Sequence, residues 1–133
     1  MIKKIDHLGI AVSDAQAALA VWRDALGLEH FDTETVASQK IVSYHLKIGE
    51  SNIELLAPTD PESPIAKFLE KKGAGIQHIA LAVTDLDAEA ERLKARGLQP
   101  IGERPTEGAG GKRILFFHPK TTGGVLLELC EGA

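Results

Sequence analysis

Two stretches of the chain share one rhythm of apolar and polar positions. Residues 5–12 read I-D-H-L-G-I-A-V, and residues 76–83 read I-Q-H-I-A-L-A-V. Successive side chains of a strand point to opposite faces. In the first stretch Leu8, Ile10 and Val12 therefore share one face, and His7, Gly9 and Ala11 share the other. In the second, Ile79, Leu81 and Val83 oppose His78 and Ala80. Each stretch predicts a strand with its apolar face on a core. Each also projects a histidine from the opposite face, among residues small enough to leave room beside it.

The repetition extends past the strands. With His7 aligned to His78, Ile5 meets Ile76, Ala11 meets Ala82, Val12 meets Val83 and Asp14 meets Asp85. A helix follows each strand. Ser13 or Asp14, and Thr84 or Asp85, are suited to cap the first turns, and Gly27 and Gly97 to end the helices. Ala18, Leu19, Trp22 and Leu26 predict the buried face of the first helix, and Leu86, Ala90 and Leu93 that of the second. Strand-like segments come next, near 29–33, 41–48 and 52–57, and again near 99–104, 113–117 and 125–129. Between the halves, Ser63, Pro64 and Gly73 bracket a short linking helix.

Each half reads β-α-β-β-β, and a unit of that size buries too little surface to stand alone. The expected fold is α+β: one domain over residues 1–133, in which two tandem modules share a curved mixed sheet with helices outside. Module one covers about 1–59, the linking helix about 63–73, and module two about 75–131.

The last strand of each half carries one acidic residue in an apolar run: Glu54 in N-I-E-L-L and Glu128 in V-L-L-E-L. A single His in a strand is more often a hydrogen-bonded structural residue, and a single Glu more often lies on a wet face. Here the repeat pairs all four. Two imidazoles and two carboxylates are a donor set for a divalent ion such as Zn, Co, Ni or Mn. His30, His45 and His118 have no counterpart in the repeat and read as structural or surface residues. The glycine-rich stretch E-G-A-G-G-K lacks the strand and helix of a P-loop and reads as a loop. Its Lys112 and the adjoining Arg113 are placed to meet an anionic group. Cys130 reads as a small apolar filler.

Composition narrows the partners. The formal charge is -4 and the pI near 5.7, which speaks against a nucleic-acid surface. Apolar runs are strand-sized, so no membrane span is expected. The first residues enter a strand without a secretory leader. One cysteine allows no intramolecular disulfide and fits a reducing cytoplasm.

The chain resembles the vicinal oxygen chelate superfamily and, within it, the methylmalonyl-CoA epimerase family. The likeness rests on I-D-H-L-G-I-A-V, I-E-L-L-A-P, S-P-I-A-K-F-L-E-K-K-G-A-G-I-Q-H-I-A and F-H-P-K-T-T-G-G-V-L-L-E-L, and covers nearly the whole chain. It implies one metal ion held by His7, Glu54, His78 and Glu128. It also implies an acyl-CoA substrate, a homodimer, and proton transfer at the carbon between thioester and carboxylate through a metal-stabilised enolate. Glu128 is the implied base. Many members carry a second base glutamate after the first helix. A gap-free count back from I-E-L-L puts Ser38 at that position, so three routes are open for the second transfer: Glu34 from the same segment, Glu128 serving both faces, or, as the favoured expectation, a relaying water held by Ser38 and its neighbour Gln39. Gln39 and Lys112 are the expected substrate contacts. A Glu at position 54 also resembles glyoxalase I, which acts on a glutathione hemithioacetal and is the alternative. A non-catalytic binding protein on the same fold is the second alternative.

Overall fold

The two histidine strands are β1 (Ile2–Ala11) and β5 (Gly75–Val83). In the computed structural model, which describes residues 1–132, each is followed by one helix and three further strands. The first set is α1 (Ala15–Leu19), β2 (Glu29–Val36), β3 (Ile41–Ile48) and β4 (Ser51–Pro58). The linking helix is α2 (Pro64–Lys72). The second set is α3 (Leu86–Ala95), β6 (Pro100–Glu107), β7 (Arg113–Phe117) and β8 (Leu127–Glu131). The expected β-α-β-β-β repeat is thus present twice. Hydrogen-bonded strands follow the order β2-β3-β4-β1-β5-β8-β7-β6. Pairs β1/β4 and β5/β8 are parallel, whereas β2/β3, β3/β4, β6/β7 and β7/β8 are antiparallel. The sheet is mixed and the class α+β, as expected.

Local chemistry sets the helix ends. Asp14 accepts from the Ala17 N–H, Asp85 from the Ala88 N–H and Ser63 from the Ile65 N–H. Gly27 and Gly97 end their helices at φ +78° and +96°, a region open to glycine at little cost. The first helix departs from expectation in its second half. Beyond Leu19 it widens into a π-helical stretch over Ala20–Ala25, where the Leu26 N–H donates to Val21 O at 2.9 Å. The wider turn rotates Leu26 off the apolar face, so Leu26 is exposed while Ala18, Leu19 and Trp22 pack inward.

Packing divides the chain into two units. One is His7–Gln77; the other combines Met1–Asp6 with the described residues from His78 onward. The boundary differs from the module boundaries read in the sequence. It runs through β1 and β5 rather than around α2, because the first residues of β1 bond to the end of β5: Thr84 N–H donates to Met1 O at 3.1 Å. In the His7–Gln77 unit, Ile10, Val12, Leu46, Ile53 and Leu55 pack on Leu19 and Trp22. In the other, Val83, Leu115, Phe117 and Leu129 pack on Leu86 and Ala90. Each such side chain, fully buried, contributes roughly 1.5–3 kcal/mol. The apolar parity read from the two histidine strands is therefore the parity that faces the helices.

Candidate metal centre

Each unit carries one buried histidine–glutamate pair on the face of its sheet opposite the helices. In the His7–Gln77 unit, β1 and β4 run parallel with Gly9 beside Glu54. Ile53 and Leu55 occupy the helical core, so alternation turns Glu54 the other way, as it does His7. The two meet with His7 Nδ1 at 3.3 Å from Glu54 Oε2. In the other unit β5 and β8 run parallel with Ala80 beside Glu128. His78 Nε2 lies 3.0 Å from Glu128 Oε1. His7 is 4% exposed, and Glu54, His78 and Glu128 are 5% each. The sequence reading pairs these residues by position, and the structure pairs them by contact.

The surroundings fit a cation. A buried carboxylate needs a positive partner or several hydrogen bonds. Each of the two glutamates has an imidazole nitrogen beside it, which is also a metal donor. On the Glu54 face, Ser43 Oγ and Asn52 Oδ1 are buried with no hydrogen-bond partner among the described residues. Orphaned polar atoms of this kind mark a place built for a polar guest. On the His78 face the wall is apolar instead, formed by Ala80, Ala82, Ile114 and Cys130 with Phe116. The Phe116 ring meets His78 edge-on, with centroids 5.3 Å apart.

Other residues singled out in the sequence are placed as follows. Ser38 and Gln39 form a tight turn, Ala37–Gln39, with Ser38 exposed and Gln39 half-buried. The turn lies beyond Ile41, which pairs with Pro58, whereas Glu54 pairs with His45. Four residues of strand at about 3.3 Å each separate the two levels, roughly 13 Å. The structure thus does not bring Ser38 to Glu54; the buried hydroxyl on this face is that of Ser43.

Lys112, expected to meet substrate, spends its ammonium on Asp6, with both carboxylate oxygens at 2.9 Å. Arg113 reaches Asp87 at 3.1 Å and Glu131 at 3.3 Å. Its pKa is raised, first by the hydrogen bond to Asp87. Cys130 is buried, and its thiol is pushed well above the ordinary range, chiefly by desolvation, which suits a filler rather than a nucleophile. His30 bonds Thr33 Oγ1 at 2.7 Å, and His118 accepts from the Lys120 N–H, both as structural residues. The sequence groups His45 with them, yet it is buried with Nδ1 3.7 Å from Glu54 Oε2. Its signal is the same face parity that marks His7, obscured by the lack of a matching His in the second half.

Fold and site define a class. Residues 6–116 match the profile of the Glyoxalase/Bleomycin resistance protein/Dioxygenase superfamily, and the chain belongs to that superfamily. Within it, the chain is 41% identical over 131 residues to the ethylmalonyl-CoA/methylmalonyl-CoA epimerase of Cereibacter sphaeroides, covering 97% of this chain and 98% of that protein. It superposes on the crystal structure of methylmalonyl-CoA epimerase from Mycobacterium tuberculosis with a TM-score of 0.94 at 42% identity, covering 99% of this chain and 89% of that one. A variant of the Streptomyces coelicolor methylmalonyl-CoA epimerase in complex with 2-nitronate-propionyl-CoA gives a TM-score of 0.95 at 38% identity, over 100% of this chain and 99% of that one.

Proposed function

We propose that this chain is an epimerase that interconverts the (2R) and (2S) forms of methylmalonyl-CoA. One observation carries the reading: each module of a chain that matches named epimerases along its whole length buries one His–Glu pair. His7, Glu54, His78 and Glu128 together hold one divalent ion. A divalent ion held by these residues would supply Lewis-acid stabilisation of the enolate and so make the C–H between thioester and carboxylate more acidic.

The side chains do the rest. Glu128 takes the proton from that carbon and can return it. His78, 3.0 Å from Glu128, holds the carboxylate in place. Phe116 and the alanines of β5 keep that side dry, which strengthens every charge interaction there. Return of a proton to the opposite face completes the inversion. We assign that second transfer to water, whose lost proton is replaced by the one held on Glu128, rather than to the Ser38 side chain, because a serine hydroxyl is a poor base and this one lies on the exposed turn. The enzyme so described works inside the cell as a homodimer.

The test is a pair of assays on metal-loaded protein, one with a single epimer of methylmalonyl-CoA in deuterated water and one with the methylglyoxal–glutathione adduct. The expected result is epimerised CoA ester carrying solvent deuterium at the inverted carbon, with glyoxalase turnover lower by orders of magnitude. Efficient turnover of the glutathione adduct with an inert CoA ester would overturn the assignment. Light scattering tests the dimer.

A further inference from the structure

The strands beside the two glutamates are not equivalent. Glu128 stands across from Phe116 on β7. At the matching place in the other unit, Glu54 stands across from His45 on β3. Directly opposed side chains of an antiparallel pair lie close enough to interact. Here they do: His45 Nδ1 is 3.7 Å from Glu54 Oε2, the same oxygen that His7 Nδ1 approaches at 3.3 Å. His45 is only 5% exposed, so the contact is a buried one. The ring of Phe31 packs edge-on against the imidazole, with centroids 5.9 Å apart and planes at 77°, which limits its tilt. Alternation explains the placement. Tyr44 and Leu46 join the helical core, so His45 faces the side that bears Glu54.

We propose that His45 is a positioning residue for Glu54. Its Nδ1, 3.7 Å from Oε2 and so within ion-pair reach rather than hydrogen-bonded, draws that oxygen to its side and fixes the rotation of the carboxylate, which leaves Oε1 directed to an ion. A ligating carboxylate with its second oxygen tied down is held to one mode of coordination. At the matching place in the other unit stands Phe116, whose ring cannot donate. The inference rests on Glu54 being a ligand, as proposed above.

The experiment uses Co(II) as the probe on the full chain, with dissociation constants from chelator competition and the visible absorption of bound Co(II) as a second readout. Three variants are compared with wild type. Glu54→Ala tests the underlying reading: if it binds Co(II) as tightly as wild type, Glu54 is no ligand and the inference falls with it. His45→Phe copies Phe116 and is expected to weaken Co(II) by about 10–100-fold and to shift the absorption band. His45→Asn keeps a donor at the Nδ1 position and is expected to restore most of the affinity and the wild-type spectrum. If His45→Phe does not fold, His45→Gln, whose amide falls at the Nε2 position, takes its place with the same expected loss. A loss in Glu54→Ala with unchanged affinity and spectrum in His45→Phe would overturn the role of His45 while leaving the ligand set intact. Failure of His45→Asn to bind better than His45→Phe would likewise overturn it, because bulk rather than the donor would then be what matters.

Discussion

Glu54 and Glu128 are equally buried, yet the proposed mechanism asks different things of them. A ligand has to stay ionised and fixed, whereas a base has to take up a proton and let it go. Replacing Glu128 by Gln keeps the shape and removes the proton acceptor. The expected outcome is a fall in kcat of about 10²–10⁴-fold with a near-native circular dichroism spectrum, read by the epimerisation assay. The four His and Glu positions were legible because face alternation and the repeat both mark them. His45 was not, because its counterpart is Phe116, and a comparison of the halves sees no matching His there. Ser38 shows a different limit. Counting residues back from Glu54 gives a position along the chain, but it does not say where the turn lies, and the turn here sits roughly four strand residues away. Lys112 could not be read at all: its partner, Asp6, is 106 positions distant.

At the level of elements, caps and turns followed the sequence closely, since Asp14, Ser63 and Asp85 each satisfy an N–H within their own helix start. The π-helical stretch after α1 was not legible, because an apolar spacing that fits 3.6 residues per turn does not register one wider turn. Helix α3 carries a pair whose effect depends on pH. Arg92 donates to Glu89 Oε1 at 2.7 Å, and this bond, joined by the Met1 amino group, holds the Glu89 carboxyl below its ordinary range. A depressed carboxyl stabilises the fold fully above its unfolded-state pKa of about 4.3, and the contribution disappears as pH falls through the lower folded value. The expected outcome is that wild type is more stable than Arg92→Gln near neutral pH and that the gap closes on acidification. Thermal melts of both proteins from neutral pH to below the carboxylate range check this, since all other groups titrate alike in the two.

The whole molecule is divided differently from its sequence. The repeat separates the chain near α2, but packing gives the start of β1 to the unit completed by β5 to β8. One unit is a single run, His7–Gln77; the other joins segments more than seventy residues apart. This sets an order of events for a chain that emerges from the ribosome from its first residue onward. The strand pairs β2/β3, β3/β4 and β1/β4 are complete once Gln77 is out and can begin to form while synthesis goes on, before β5 is added beside β1. Met1 waits for Thr84, just past β5, and Asp6 waits longer still for Lys112. During that interval a short strand edge bearing Lys3 and Lys4 hangs open, and two like charges are the feature that discourages it from pairing with another chain. Pulse-labelled hydrogen exchange during refolding would read the order directly. Amides of β3 and β4 should gain protection before those of Ile2–Asp6, and substituting both lysines with Val should raise aggregation during refolding with little effect on the finished fold.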